Sequence, residues 1–535
     1  MTTMLSRRPL VLVLAGCLTI FIVIFVCGAP LDSIYYVPSS FQGNFRKPGN
    51  HRITKQSAIS FAKNGRYESA EVWRNEDWFA DTSLSSIEAN NRPHLHGQSL
   101  QNPLIADYAP GSDKLFLMIK TGATVLWQRL PIHLSTTLTR VPKFALYSDA
   151  PGSIAGYEVI DILANVTEES KGKQEFTQYR RQKWLHDKAR VIDYTSLKMN
   201  DGWQLDKFKN VPMLDHAYRT SPDSDWFFFM DADTHVVIDN LMDLVKDLDP
   251  NQPHYIGSVA GSGHYAFCHG GSGVLLSKAA LEKSVGMKDW AHMMEQRTFD
   301  ECCGDLMVGY LMIDAVETPA NDTKGFNGSP YWDLKLNADN WCDPIITFHH
   351  VIPREVEIIW EYEKSKRGAA DRNGHQQKIT NSLLYHDFFL PFMADKKENW
   401  DNRAISEQFS TYDQDKDKGI IPKSQGGHEE RPYESFEACK EFCEKQENCL
   451  SFRLSNADKR CDISESFRYG RPVENWLRTS SDYPIVEVTS GWMLDRIQSL
   501  RKASSCDSST HSRDDDAGDR LIEGWFNKLE GQDRA

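Results

Sequence analysis

The stretch that decides the fold is DSDWFFFMDADTHVVIDNL, residues 223–241. In it, an apolar run from Trp226 to Met230 leads directly into Asp231 and Asp233. A continuous apolar run of this kind is typical of a strand buried on both faces. Such a strand would carry the two carboxylates to the edge of a sheet, where buried negative charge needs a cation. The pattern therefore indicates a site for a divalent metal and the phosphates of a substrate, whereas Asp-x-Asp without the strand is usually a solvated turn.

Further short apolar runs alternate with longer amphipathic segments from residue 114 onward. The runs are KLFLMIKTG, VPKFALYSD and PHYIGSVAG. Short buried strands that alternate with helices predict an α/β domain with a mostly parallel sheet. Ligands of such sheets bind at the carboxyl ends of the strands. We therefore expect Thr121, Gly122 and Asp149 beside the two aspartates.

The N-terminus has the pattern of a targeting signal. An uncharged apolar run over residues 9–28 follows Arg7 and Arg8. A bilayer-spanning helix needs about 20 apolar residues, so we expect a signal anchor with residues 1–8 in the cytoplasm and the rest in the lumen. The alternative is a long cleavable signal that is cut near Gly28 or Ala29. Both interpretations place the body of the chain in the secretory pathway, and the first predicts a single-pass type II protein of the Golgi or another secretory membrane.

Chain length and net charge limit the number of domains and the kinds of partner that we expect. The chain has 535 residues and a net charge of -14. This length predicts more than one unit, and an acidic chain is a poor partner for nucleic acid. The segments we expect are a stem at 29–110, the α/β domain at 111–365, a charged linker or helical extension at 366–426, a cysteine-rich module at 427–475, and a C-terminal extension with a disordered tail at 476–535.

Nine cysteines lie outside the apolar N-terminal run. In an oxidising lumen most of them should pair, and an odd number leaves at least one free or bonded to another chain. We expect Cys302 and Cys303 to pair with Cys268 or Cys342. The module concentrates four more, for which zinc binding is the rival of disulfides: Cys439, Cys443, Cys449 and Cys461.

Five motifs in order carry a resemblance to a known family. They are KTG at 120–122, DWFFFMDADTHVVIDNL at 225–241, HGGSGVLLSKAAL at 269–281, CGDLMVG at 303–309 and WCDPIITFHHV at 341–351. Together they resemble glycosyltransferase family 31, the β-1,3-glycosyltransferases that include fringe and core 1 galactosyltransferase. The cysteine-rich module resembles a PAN/apple module, a combination that suggests the fungal branch of the family.

The family resemblance implies a GT-A fold, a UDP-sugar donor and Mn²⁺ or Mg²⁺ as cofactor. It also implies an inverting reaction with one general base. The implied metal ligands are Asp231, Asp233 and His349, and the implied base is Asp305. His350 is the alternative to His349 as the histidine ligand, and for either one the other interpretation is a buried strand histidine with its hydrogen bonds satisfied. The implied donor-binding residues are Thr121, Gly122, Asp149, Lys207, Asp231 and Ala232.

The acceptor side of the site is expected in two loops: Gly270, Gly271, Gly273 and Glu301. Here the chain departs from the family, because Gly304 occupies the position of the glutamate that precedes the base. Asp300 or Glu301 would have to replace that glutamate. The module resemblance implies disulfides Cys439–Cys461 and Cys443–Cys449.

These expectations combine into one function. We expect transfer of a galactose-like hexose from a UDP-sugar to a glycan or glycoprotein, with a β-1,3 bond as the product; a homodimer is left open. The rivals are a catalytically silent relative acting as a lectin or chaperone, and an adhesion protein whose working part is the module.

Overall fold

The computed structural model describes residues 107–189, 194, 202–261, 266–367, 378–414, 431–473, 487–503 and 506. Within these ranges, no helix has both the length and the apolar character needed to cross a bilayer. The predicted anchor at 9–28 and nearly all of the predicted stem at 29–110 lie outside the described residues.

The α/β domain begins at the first strand and alternates strands with helices. Its strands are β1 (Leu115–Lys120), β2 (Phe144–Ser148), β3 (Gly152–Ile154), β4 (Tyr157–Asp161), β5 (Trp226–Asp231), β6 (Thr234–Val236), β7 (Tyr255–Gly257), β8 (Val259–Ala260), β9 (Phe267–Cys268), β10 (Val274–Ser277), β11 (Asn321–Asp322) and β12 (Thr347–His349). Its helices are α1 (Leu126–Ser135), α2 (Glu168–Gly172), α3 (Thr177–Ala189), α4 (Gly202–Asp206), α5 (Asn210–Thr220), α6 (Ile238–Val245), α7 (Lys278–Lys283), α8 (Trp290–Asp300), α9 (Gly304–Val316) and α10 (Pro353–Lys366).

Eight strands form the central sheet in the order β11-β7-β10-β5-β1-β2-β4-β3. The four strands β4, β2, β1 and β5 are parallel, but β10 runs antiparallel to both of its neighbours. The sheet is therefore mixed, and "mostly parallel" describes only its centre. At one edge β3 and β4 are antiparallel because they form a hairpin, whose two turn residues Ala155 and Gly156 both have positive φ.

Strand β5 is buried on both faces, as its sequence predicts. Phe227 and Phe229 pack into the core on one side of the sheet, whereas Trp226, Phe228 and Met230 pack into the core on the other side. This division follows from the alternation of side chains along a strand. Truncation of one of these phenylalanines to alanine would cost about 3–5 kcal/mol.

The register of β1 and β5 sets the position of the site. The two strands are parallel, and Lys120 at the end of β1 lies opposite Asp231 at the end of β5. A second, two-stranded sheet pairs β6 with β12 in antiparallel register. Because β6 follows β5 after a short turn, this pairing brings the end of β12 to the same edge.

The C-terminal module is a five-stranded antiparallel sheet with one helix packed on it. Its elements, including short strands beside the sheet, are α11 (Asn381–Leu384), β13 (Lys397–Glu398), β14 (Trp400–Asp401), β15 (Glu407–Ser410), α12 (Phe436–Lys445), β16 (Ser451–Ser455), β17 (Arg460–Ser464), β18 (Arg471–Pro472), β19 (Val488–Trp492) and α13 (Leu494–Ala503). The sheet has the order β13-β19-β16-β17-β15. It thus uses residues on both sides of the predicted 427–475 boundaries, because short strands lie in the segments that charge alone marked as linker and extension.

Disulfides staple the module. Cys439 and Cys443, one turn apart on α12, pair with Cys461 and Cys449 respectively. These are the two bonds that the resemblance implied.

The remaining cysteines correct the predicted pairing. Cys302 bonds to its neighbour Cys303, and Cys342 bonds to Cys506. Cys268 is buried and free. The expected bonds from Cys302 or Cys303 to Cys268 or Cys342 are therefore wrong. Cys302 and Cys303 form a disulfide with each other, and Cys342 forms one with the distant Cys506.

Candidate active site

Three side chains at the edge of the sheet offer ligand atoms for a metal. Asp233, His349 and His350 each present one such atom, and these atoms all lie within 4.8 Å of one another. His349 Nε2 lies 3.7 Å from Asp233 Oδ1, and His350 Nδ1 lies 3.7 Å from Asp233 Oδ2. Asp233 and His349 are buried, whereas His350 is exposed. One carboxylate and two imidazoles form a donor set suited to a transition-metal ion.

Strand pairing holds this group together. Thr234 of β6 lies opposite His349 of β12, and the Val351 N–H donates to the Asp233 carbonyl at 3.0 Å. Gly271 packs directly on the His349 ring, where a Cβ would lie 2.2 Å from the nearest ring carbon. Glycine at this position is therefore needed so that the imidazole can reach the aspartate.

Burial keeps His349 neutral. It lowers the pKa of His349 to about 4, and the neighbouring His350 and His269 add to this effect while Asp233 opposes it. A neutral imidazole keeps a lone pair available for a metal. The His349 and His350 rings also stack with their centroids 3.8 Å apart.

A cation of the protein itself also contacts the aspartate. An Arg129 guanidinium nitrogen lies 3.2 Å from Asp233 Oδ2. The arginine, on α1, is partly exposed, and Asp233 is mostly buried. The group thus has part of its negative charge neutralised before any metal binds.

Asp231 has different partners from Asp233. Its Oδ1 lies 3.2 Å from Lys120 Nζ, which also donates to Asp206 Oδ2 at 2.6 Å. The ligand group described above does not include Asp231. Strand register pairs Asp231 with Lys120, whereas the following turn carries Asp233 to the histidines. A single ion shared by both aspartates stays a prediction.

Opposite charges stabilise each other in this cluster, in which Lys120 is buried and the two carboxylates are partly exposed. Burial disfavours the charged form of Lys120, yet Asp206 and Asp231 together raise its pKa. Burial also raises the pKa of Asp231, against the effect of Lys120. Removal of one partner from such a cluster would leave an uncompensated buried charge.

A second buried ion pair lies at the end of β2. Lys209 Nζ is 3.3 Å from Asp149 Oδ2 and donates to the Thr121 carbonyl at 2.9 Å. The other Asp149 oxygen accepts from the Ala123 N–H at 2.7 Å. Gly122 lies against Asp149, since a Cβ on it would be 3.9 Å from Oδ2. Three predicted donor residues, Thr121, Gly122 and Asp149, are thus together.

The predicted donor lysine is in another place. The Lys207 ammonium donates to the carbonyls of Phe299 and Glu301 at 3.0 and 2.8 Å, at the C-terminus of α8. Lys209 is the residue that reaches the strand ends. Lys207 and Lys209 are only two positions apart, but their side chains point in different directions before α5. The sequence spacing alone did not show which of them reaches the strand ends.

Ala232 lies between the two aspartates with its backbone already engaged. Its N–H donates to the Lys120 carbonyl at 2.8 Å, and its carbonyl lies 2.9 Å from His133 Nε2. Its expected contact with a donor remains a prediction.

Asp305 lies at the first turn of α9 and is held by two backbone groups. Gly270 N–H donates to its Oδ2 at 2.9 Å, and Leu306 N–H donates to its Oδ1 at 3.0 Å. The adjacent Gly271 is the residue that packs on His349. The glycine turn therefore links the predicted base to the metal-ligating group.

Two other predicted acceptor-side residues have structural contacts. Gly273 has φ 84°, and a Cβ there would lie 2.5 Å from the Phe228 ring, so no other residue fits. The Glu301 carboxylate lies 3.9 Å from Arg297 Nε. A role for either residue in acceptor binding stays a prediction.

Sequence reasoning missed four charged residues of the site: Lys120 as an ion-pair partner, Arg129, Asp206 and Lys209. One signal was present. Lys120 ends the otherwise apolar run LFLMIK, and a charge at the end of a buried strand needs a partner. Arg129 and Asp206 lie on helices and Lys209 lies in the turn before α5, where spacing does not reveal a contact with a distant strand.

Comparison with known proteins agrees with this architecture. A family model described as Fringe-like matches residues 111–329. Glycoprotein-N-acetylgalactosamine 3-beta-galactosyltransferase 1 of Xenopus laevis is 24% identical over 243 residues, which are 40% of this chain and 66% of that protein. Human chondroitin sulfate glucuronyltransferase is 44% identical over 63 residues, 11% of this chain and 8% of that protein. The chain thus spans just under two thirds of the length of the first relative and less than a tenth of the second.

One solved structure is also similar, a glycosyltransferase involved in the glycosylation of the major capsid of PBCV-1. It shares 15% identity and covers 46% of this chain and 98% of that chain. Its TM-score is 0.20. The family model and the Xenopus relative together support glycosyltransferase activity, and they assign the Fringe-like similarity to residues 111–329.

Proposed function

We propose that the chain is a metal-dependent, inverting glycosyltransferase that moves a hexose from a UDP-sugar to a hydroxyl of a glycan or glycoprotein. The observation that carries the proposal is the convergence of Asp233, His349 and His350 at the carboxyl edge of a Fringe-like domain. Substrates of α/β domains bind at this edge.

The residues present fit a divalent cation. Asp233 supplies a carboxylate oxygen, and His349 supplies a neutral imidazole because burial lowers its pKa to about 4. A set with two imidazoles favours Mn²⁺ over Mg²⁺, which prefers oxygen ligands. When bound, the cation would neutralise the charge on the departing nucleoside diphosphate.

Asp305 is the proposed general base. Both of its oxygens accept backbone hydrogen bonds, which fix the carboxylate in one orientation. Each oxygen retains a lone pair that can accept the proton of an acceptor hydroxyl. Inversion needs a single base on the face of the sugar opposite the leaving group, so one fixed carboxylate suffices.

The names of the relatives guide the choice of sugar and bond. One is a galactosyltransferase and the other a glucuronyltransferase. We propose a galactose-like hexose and a β-1,3 bond, in keeping with the relative named as a 3-beta-galactosyltransferase. We also propose a location in the Golgi or another secretory membrane, for which the four disulfides are the support.

A catalytically silent relative acting as a lectin or chaperone is the second candidate. The observation in its favour is the contact between Arg129 and Asp233, which lets the site remain stable without a metal. In that case the domain would bind a glycan without turning over a donor.

Release of UDP by the purified full-length chain separates the two. UDP-galactose, UDP-glucuronate and UDP-N-acetylglucosamine are each offered with Mn²⁺ and a mixture of glycan acceptors. We expect Asp233→Asn to lose both activity and Mn²⁺ binding. Asp305→Asn should lose about 10²- to 10⁴-fold in turnover while it still binds Mn²⁺ and UDP.

Asp223→Asn is the matched control, since Asp223 is exposed and lies just before β5. It should behave as wild type. Undiminished activity in EDTA, or full activity of Asp305→Asn, would exclude the proposed chemistry. Glycan binding without release of UDP from any donor would favour the silent relative.

A further inference from the structure

Helix α3 buries two glutamines whose amides lack partners. Gln178 is 3% exposed and Gln182 is 0% exposed. In both, the amide nitrogen and the amide oxygen have no hydrogen-bond partner in the part of the chain that the structure describes. Residues four apart on a helix share a face, so the two amides lie one above the other. Buried polar groups are nearly always satisfied, and four unpaired atoms on one face need an explanation.

This face of α3 is directed at the carboxyl ends of β1 and β2. Leu185, the next residue on the same face, packs against Ala123, Ala150 and Tyr194. Ala123 follows the end of β1, and Ala150 follows the end of β2. The amides therefore belong to the edge of the sheet at which the candidate site lies.

Gly202, the first residue of α4, also indicates where the Gln178 amide lies. Gly202 packs on Gln178, since a Cβ on it would lie 3.5 Å from the amide nitrogen. Helix α4 ends at Asp206, which accepts a hydrogen bond from Lys120. Helix α4 therefore runs from the Gln178 amide to Asp206, which together with Lys120 lies beside Asp231.

Two unpaired hydroxyls lie in the same region. The Tyr194 hydroxyl and the Thr121 hydroxyl are both buried and have no partner within the described ranges. So many unpaired polar atoms would be costly in a protein interior without a ligand, because each atom loses its hydrogen bonds to water on folding. A polar ligand that carries both donors and acceptors would satisfy them.

We propose that Gln178 and Gln182 recognise the uracil ring of the sugar donor and so determine the choice of nucleotide. This inference rests on the proposed function, which supplies a UDP-sugar as the substrate. The open edge of uracil offers an acceptor, a donor and an acceptor in a row. A primary amide donates from nitrogen and accepts on oxygen, so two amides can supply the complement.

The position agrees with the rest of the site. The cation group at Asp233 would take the diphosphate, and Leu185, on the face of α3 that carries the amides, packs against Ala123 and Ala150 just beyond the ends of β1 and β2. Cytosine exposes an amine and a ring acceptor in place of the imide, so the same amides would discriminate against it.

Calorimetric binding to the full-length chain with Mn²⁺ tests the inference with three ligands: UDP, CDP and inorganic pyrophosphate. Gln178→Met and Gln182→Met keep the length of the side chain and remove the amide. Each should weaken UDP binding about tenfold to a hundredfold, as expected for loss of a paired base contact. Pyrophosphate affinity should not change, and the preference for UDP over CDP should disappear. Gln174→Met, at an exposed position just before α3, is the matched control and should bind all three ligands as wild type does.

A modified ligand tests the same contact without a variant. UDP methylated on N3 of the ring cannot donate from the imide, and wild type should bind it more weakly than UDP by the same factor. Equal affinity of wild type for UDP and its methylated form would overturn the inference, and so would unchanged UDP affinity in both methionine variants. Failure of the proposed function has a different signature, in which wild type binds neither pyrophosphate nor UDP in the presence of Mn²⁺.

Discussion

His349→Gln should flatten the dependence of stability on pH. Burial lowers the pKa of His349 to about 4 in the folded chain, whereas an unfolded histidine titrates near 6.5. As the pH falls below about 6.5, the unfolded state therefore takes up a proton before the folded state does. Stability that is present above that pH is lost progressively down to pH 4.

The size of the effect follows from the two pKa values. At pH 5 the unfolded imidazole is almost fully protonated and the folded one about a tenth protonated, which corresponds to a cost of about 2 kcal/mol. Glutamine does not titrate, so His349→Gln should lose this share of the pH dependence. The assay is urea unfolding, followed by tryptophan fluorescence, at pH 7 and at pH 5 in wild type and variant.

His133→Gln is the matched control. Burial also lowers the pKa of His133 to about 4, so this variant should flatten the curve by a similar amount. Mn²⁺ separates the two histidines, because it should raise the urea midpoint of wild type and of His133→Gln but not that of His349→Gln. If His349→Gln keeps the full wild-type loss between pH 7 and pH 5, the histidine is not held neutral by burial and the argument fails.

Two further changes test the edge of the sheet. Lys120→Met should destabilise the chain by about 1–3 kcal/mol in urea unfolding, because it removes the buried ammonium that neutralises the partly exposed carboxylates of Asp206 and Asp231. Lys114→Met, at an exposed ammonium, should change little, and equal effects of the two changes would contradict this description of the cluster. Gly271→Ala should weaken Mn²⁺ binding at least tenfold in calorimetry, because its Cβ would lie 2.2 Å from the His349 ring. Gly172→Ala is the control and should bind Mn²⁺ as wild type does, since a Cβ on Gly172 has no atom within 4 Å. Unaltered Mn²⁺ binding in Gly271→Ala would show that the His349 ring has another position.

The sequence predicted the elements whose signal is local. Strand β5 follows from its apolar run, and its burial on both faces is what allows five consecutive apolar residues, Trp226 to Met230. The edge position of Asp149 follows from the same reasoning. In each case the pattern and the structural cause lie within a few residues of each other.

Contacts between distant segments were not predictable in this way. Lys207 and Lys209 have nearly the same sequence context, and only the start of α5 decides that Lys209 reaches Asp149 while Lys207 turns to the end of α8. The module shows the same limit. Strands β15 and β19 lie outside the predicted module because each is short and neither has a clear alternation of apolar residues.

The separation of Asp231 from Asp233 has one structural cause. Asp231 still belongs to β5, so the register with β1 gives it Lys120 as a neighbour. Asp233 lies in the turn that leads into β6, whose pairing with β12 brings His349 to it. The two aspartates look equivalent in the sequence, but Asp231 is the last residue of a strand in the central sheet and Asp233 precedes a strand of the two-stranded sheet. A pattern of Asp-x-Asp indicates where charge collects, but the partner strand on each side decides which carboxylate remains available to a metal.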